Sequence, residues 1–195
     1  FFINKVCNLK KTVFLTENSK LKKNLKKNLK KIKLYTMTSL HNLSKYKKNN
    51  LLYNVKNSPT ILCPGTYRYE KYGINLINFL KNNFMYNFQL RISEYSKNII
   101  ADIIDKKKYK ITYIKENLDQ KSHIKEIAKS DIILLPYKMP DYEFRTSGLF
   151  FEAASMNKMT LISHGTLISK DLKKFGLENL SVKKWQDLSI KEILN

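Results

Sequence analysis

From Thr60 onward, short apolar runs alternate with segments whose apolar residues recur at helical spacing, and this alternation constrains the fold more than any other feature. "TILCPG" is a buried strand with its exit turn, "NFQLRIS" and "YKITYIK" are further strands, and "MTLIS" follows later. "DIILLP" is apolar at every strand position, as in a central parallel strand covered on both faces. Between them lie helices. "GINLINFLKNN" places Ile74, Ile77, Leu80 and Lys81 at helical spacing, and "EYSKNIIADIIDKK" places Ile99, Ile100, Ile103 and Ile104 on one face. "DQKSHIKEIAKS" has Asp119 as its N-cap, with Ile124, Ile127 and Ala128 turned inward. "SGLFFEAASMN" and "ISKDLKKFG" are helices, the latter ending at Gly176, before a weak strand "LSV" and a last helix "LSIKEIL". Such alternation predicts an α/β fold built on a doubly wound parallel sheet. Ligands in these sheets bind at the carboxyl ends of the strands, so the strand-to-helix loops are where function is sought.

Upstream, "KTVFLTE", "NSKLKKNLKKNLKK" and "IKLYTM" read as strand, helix and strand, and the polar stretch 42–59 reads as a linker. The expected division is therefore 1–58 and 59–195. A length of 195 residues suits one domain, or one domain with part of another. Five Gly, four Pro and 12% aromatic residues exclude collagen-like and disordered classes. No apolar run approaches the roughly 18 residues that a membrane-crossing helix needs. Cys7 and Cys63 make neither a disulfide framework nor a zinc site, which sets a cytoplasmic location as the expectation. The chain opens on Phe1-Phe2 with no signal-peptide pattern behind it, and we read it as a fragment of a longer protein.

The formal charge of +21 is unevenly spread. Residues 1–58 hold 15 basic residues against Glu17, for +14, whereas 59–195 hold 22 against 15 acids, for +7. Leu21, Leu25 and Leu29 share one face of the densest stretch, and lysines take the rest. A solvent-facing helix of an α/β layer accounts for this pattern. A peripheral contact with acidic lipid head groups through Lys20–Lys31, at the inner face of the membrane, is the alternative use. A nucleic-acid site is not expected, because the run carries no aromatic platform. Lys supplies 34 of the 37 basic residues, so Arg68, Arg91 and Arg145 stand out for tasks that need a planar fork. By the same logic the five glycines mark unusual backbone geometry.

Two loops carry candidate chemistry. "PGTYRYEKYG" offers Arg68 and Lys71 between two glycines. "PYKMPDYEFRTSG" ends in Arg145, Thr146, Ser147 and Gly148 at a helix start, where unpaired amides and the helix dipole favour an anion. Thr146 and Ser147 either add hydroxyl donors or simply cap the helix. Glu152 follows one turn later among apolar neighbours, on what reads as a core-facing surface. A carboxylate there needs a partner, either a pair of sugar hydroxyls or a nearby Lys.

"GTYRYEKYGINLI", "SDIILLPY", "RTSGLFFEA" and "MTLISHGT" occur in an order and spacing that resemble the carboxyl-terminal domain of bacterial GT-B glycosyltransferases, over about residues 59–178. Residues 12–40 resemble the last strand–helix–strand of the amino-terminal acceptor domain, which makes 1–58 a remnant of that domain plus a linker. The resemblance implies a Rossmann-like fold for 59–195, a nucleotide-sugar donor, and a glycan, lipid or protein acceptor. It further implies that Arg68 and Lys71 lie near the donor diphosphate, that Ser147 and Gly148 start the helix whose amides meet the phosphates, and that Glu152 binds the ribose. Phe144 stands where many retaining members have a second Glu, and Glu143 is one residue away. No metal cofactor is implied, since Arg, Lys and amides neutralise the leaving diphosphate in such enzymes.

The function expected is glycosyl transfer from a nucleotide-diphosphate donor, by a fragment that itself turns over little without the rest of the acceptor domain. The alternatives are a basic binding module for nucleic acid or membrane, and a decayed, non-catalytic copy. His123 reads as a surface residue of its helix, and His164 lies in a loop that could approach the donor. Trp185 reads as a packing anchor, Cys63 as inert, and Tyr67, Tyr69 and Tyr72 as loop-covering residues.

Overall fold

The computed structural model describes residues 13–16, 19–28, 33–36, 58–65, 68–83, 85–101 and 110–194. The chain divides into two compact units, Phe1–Asn42 and Leu43–Asn195. Most of the expected linker lies outside the described residues, as do 102–109, where Ile103 and Ile104 fall.

In the first unit, β1 (Val13–Thr16) and β2 (Lys33–Thr36) pair in parallel around α1 (Ser19–Asn28). Leu21 and Leu25 are half-buried, while Lys23, Lys26 and Lys27 are exposed. The apolar face of α1 thus serves its own layer, and the lysines face water.

The second unit is built on six strands: β3 (Thr60–Cys63), β4 (Gln89–Ser93), β5 (Lys110–Ile114), β6 (Ile132–Leu135), β7 (Met159–Ser163) and β8 (Ser181–Val182). They lie in the order β5-β4-β3-β6-β7-β8, and every pairing is parallel. All four residues of β6 are buried, in keeping with an apolar run that has no polar alternation. The helices are α2 (Tyr69–Tyr72), α3 (Asn75–Asn82), α4 (Lys97–Ala101), α5 (Gln120–Lys129), α6 (Gly148–Ser155), α7 (Leu167–Lys174) and α8 (Ile190–Leu194). Chain direction across the sheet reverses between β3 and β6: β4 and β5 extend to one side, β6 to β8 to the other. A crevice opens at such a crossover because consecutive loops depart in opposite directions.

Two inward stripes differ from expectation. In α3 the buried residues are Leu76, Phe79 and Leu80, whereas Ile74 is 53% exposed. Gly73, at φ +53°, separates α2 from α3, so the second helix starts at Asn75 and its buried face shifts by one position. In α5, Asp119 does cap the helix, its Oδ1 accepting from Ser122 N at 2.6 Å, and Ile127 is buried. Ile124, however, is 43% exposed and Ala128 is exposed too. The inward stripe instead runs His123, Glu126, Ile127, Ser130, because this helix covers a polar cleft as well as the core.

Trp185 is buried and docks the carboxyl-terminal segment: its indole meets Phe79 edge-on at 6.1 Å and donates to Ser163 Oγ at 2.9 Å.

Candidate functional site

At the carboxyl ends of β3, β4 and β5 lies a cleft of about 250 Å³. Its floor is the carboxyl end of β3, from Leu62 to Gly65, with Ser93 at the end of β4 and residues 114–118 leaving β5. His123 and Glu126 of α5 and Leu149 of α6 close the sides. The polar groups are ordered by their neighbours. Ser93 Oγ donates to Glu116 Oε1. Arg91, on β4, donates through Nε to Glu126 Oε2 at 2.8 Å, and its Nη2 reaches the same oxygen. Of the three arginines, Arg91 therefore serves a carboxylate, not a phosphate.

Behind Gly65 lies Lys71, only 9% exposed. Its Nζ faces Pro64 O at 3.5 Å and lies 4.8 Å and 5.9 Å from the Tyr72 and Tyr137 ring centroids. Gly65 has φ +81°, so the turn favours glycine, and a Cβ there would stand 3.0 Å from Lys71 Nζ. Burial lowers the Lys71 pKa from its ordinary 10.5. Burial likewise pushes the Cys63 thiol up to about 12, which keeps it protonated and inert.

The lowered Lys71 value has a measurable consequence. Between it and 10.5 the unfolded chain binds more protons than the folded one, so the stability cost of this lysine is full below that window and fades as pH rises through it. Lys71→Met is expected to stabilise the fold at neutral pH by about 1–3 kcal/mol, the cost of an imperfectly compensated buried polar group. Urea denaturation across a pH series checks this, and the advantage of the variant should shrink as pH approaches 10.5.

An aromatic stack joins the two candidate loops. Tyr137 lies parallel to Tyr72 at 6.2 Å and to Tyr142 at 3.9 Å, and its hydroxyl shares a hydrogen bond with Ser147 Oγ at 2.7 Å. The Tyr72 hydroxyl donates to Pro64 O. Tyr72 is thus wholly buried and structural rather than a loop cover. The Arg145 guanidinium lies 5.8 Å from the Tyr142 ring centroid.

The residues singled out from sequence take the following places. Arg68 is exposed, and its carbonyl accepts from Lys71 N and Tyr72 N at 2.9 Å, closing α2 where a plain loop was expected. Arg145 is exposed and Thr146 half-buried. Ser147 is the N-cap of α6, accepting from Phe150 N at 3.3 Å, and Gly148 opens the helix with open space where a Cβ would stand. Glu152 is not on a core-facing surface. Phe150, Phe151 and Ala153 take the core, leaving Glu152 with a side chain 53% exposed and bonded to His123 Nε2 at 2.9 Å. Its protein partner is a histidine rather than a lysine.

The cleft wall is thus formed by the neighbours of these residues: Gly65 ahead of Lys71, Leu149 behind Gly148, and His123 against Glu152. Sequence reasoning missed His123, Glu126 and Glu116. The polar members of an otherwise inward stripe, His123 and Glu126 at i and i+3, were the signal available. His164 is exposed and bonded to Ser181 Oγ at 3.2 Å, and Glu143 accepts from Lys170 Nζ at 3.3 Å. Among the described residues no group of three His, Cys, Asp or Glu could hold a metal ion, and no helix is long and apolar enough to cross a membrane.

A six-stranded, all-parallel sheet flanked by helices, with a cleft at the carboxyl ends of its strands, is a Rossmann-like fold that resembles the GT-B fold. A solved structure of trehalose-6-phosphate synthase, analysed with bisubstrate glycomimetics for glycosyl transfer with retention, is similar to this chain with a TM-score of 0.54 at 12% identity, covering 92% of this chain and 51% of that one. An apo structure of OtsA gives a TM-score of 0.47 at 12% identity, covering 77% of this chain and 40% of that one. The chain therefore spans about half the length of the trehalose-6-phosphate synthase it matches. No protein-family model and no curated protein matches it.

Proposed function

We propose that this chain binds the nucleotide of a nucleotide-sugar donor and serves glycosyl transfer to an acceptor. One observation carries the reading: the cleft opens at the carboxyl ends of the parallel strands β3, β4 and β5, with Gly65 on one side and Leu149 of α6 on another. Open α/β sheets bind nucleotides at this point, with phosphates directed to a helix start. Arg68 and Arg145 are exposed cations on the two loops that Tyr137 ties together. Drawn onto a diphosphate, with Lys71 behind Gly65, they would stabilise the negative charge of the leaving group. Planar guanidinium groups suit that role better than ammonium groups, so Arg145→Lys is a poor replacement in this mechanism. Glu152 then takes the ribose.

Calorimetry of the chain with uridine, adenosine and guanosine diphosphates tests the reading. Binding of at least one is required, and a folded chain that binds none of them removes it. Glu152→Gln should weaken the nucleotide that binds by about 1.5–3 kcal/mol, the range for hydrogen bonds to charged groups. Its melting temperature should hardly move, because a half-exposed pair contributes little to stability. A lower melting temperature with unchanged affinity would make Glu152 a structural ion-pair partner only.

A further inference from the structure

We propose that α1 of the first unit is a docking surface for an anionic phospholipid bilayer, held by the lysines on the side of the helix opposite Leu21 and Leu25. None of these residues lines the cleft, so the surface is independent of the donor reading above. Five of the ten residues of α1 are lysine, and none is acidic. Between Glu17 and Glu70 the chain carries no Asp or Glu at all. Leu21 and Leu25 are half-buried on their own layer, while Lys23, Lys26 and Lys27, at i, i+3 and i+4, lie exposed on the opposite side. Lys22 flanks them, half-buried, with its Nζ 5.8 Å from the centroid of the Tyr35 ring.

A lysine-rich composition explains many lysines but not the missing acids. The second unit shares the composition, yet its helices balance it: Lys129 of α5 pairs with Glu126 at 3.4 Å, and Lys174 of α7 with Asp171 at 2.6 Å. In α1 the neighbours at those spacings are other lysines, Lys22 with Lys26, and Lys23 with both Lys26 and Lys27. Like charges so placed repel and weaken the helix, and no acid in the first turn meets the positive end of its dipole. A helix that only had to face water would gain from an acid at any of these positions. An anionic surface supplies the missing countercharge from outside. Seven lysines from Lys20 to Lys31 fall within the range of about four to eight that marks basic segments held by acidic lipids. Phospholipid fits this stripe better than nucleic acid does. Residues 1–58 hold no arginine, the residue that grips phosphate and guanine with a planar fork, and α1 contributes no aromatic on which a base could stack. Diffuse attraction between ammonium groups and lipid head groups needs neither.

The test is co-sedimentation of the full 195-residue chain with vesicles of phosphatidylcholine alone and of equimolar phosphatidylcholine and phosphatidylserine. The mixed vesicles should bind and the neutral ones should not. Raising the salt from about 0.1 M to about 1 M should release the chain, because screening then acts within about 3 Å. Lys22→Gln, Lys23→Gln, Lys26→Gln and Lys27→Gln together should cost about a hundredfold or more, at about fivefold for each lysine near such a surface. Lys26→Gln with Lys27→Gln should cost about twentyfold, and this pair decides the matter if the quadruple variant loses its native circular dichroism. Lys121→Gln, Lys125→Gln, Lys173→Gln and Lys183→Gln remove the same charge from exposed positions of the second unit and should cost little. A folded chain that ignores the mixed vesicles overturns the proposal, as does an equal loss from the two quadruple variants. Tighter binding to a single-stranded RNA or a DNA duplex than to the mixed vesicles, lost with the same α1 lysines, overturns it in favour of a nucleic-acid surface.

Discussion

Truncating Trp185 to alanine is expected to lower stability by about 3–5 kcal/mol, the usual cost of emptying an aromatic site in a packed core. The indole is 2% exposed, stands edge-on to Phe79 of α3, and donates to Ser163 Oγ at the end of β7. Its loss opens a cavity between helix and sheet and also leaves the buried Ser163 hydroxyl without that donor. Trp185→Phe keeps much of the packing and should cost about 1–2 kcal/mol, mainly the hydrogen bond. Urea denaturation followed by circular dichroism measures both, since the chain has a single Trp and loses its fluorescence probe with it. The midpoint should fall with little change in slope. A loss below about 1 kcal/mol for the alanine variant would mean the site collapses or was never closed.

The second large effect belongs to Arg91. Its side chain and that of Glu126 are 14% and 15% exposed, and removing the guanidinium leaves a carboxylate largely out of water. One-sided removal from a buried pair costs about 3–5 kcal/mol, and Lys129, 3.4 Å from the other Glu126 oxygen, should hold the Arg91→Ala loss to about 2–4. Arg91→Met combined with Glu126→Leu should restore most of that stability, because neither charge is then stranded. If the double variant is no more stable than Arg91→Ala, the pair contributes packing and not charge compensation.

Much of the layer order was legible in the chain itself. Strands β3 to β7 have short sequences with apolar or β-branched residues, all but β5 ended by Pro or Ser, and they fall where alternation places them. The caps of α5 and α6, Asp119 and Ser147, were legible for the same reason: a cap is a contact over three residues. The side that each helix presents to the sheet was less so. Ile74 and Ile124 look inward by periodicity and are exposed, because Gly73 resets one helix and the other leans over the cleft.

The candidate site shows the same division. Lys71 was visible from its loop, but its burial depends on Gly65 and on Tyr137, 66 positions further along the chain. Arg91 stood out because arginine is scarce, yet its partner is 35 positions away on a helix across the sheet layer. Asn83 carried no signal at all. Wholly buried, it donates to Phe79 O and Leu188 O at 2.8 Å and 2.9 Å and accepts from Ile190 N at 2.7 Å, anchoring the last helix.

Periodicity, capping and turn chemistry act over a few residues, and the amino-acid order alone therefore determined the alternating elements and the parallel class of the sheet. The meeting of His123 with Glu152, and of Arg91 with Glu126, was decided by tertiary structure. Each pairs residues on different elements, and only the order β4-β3-β6 with its covering helices brings them within a hydrogen bond. A charged or polar side chain looks the same in sequence whether it faces water or a partner. The difference lies in solvation, which is set by what the rest of the chain packs against it.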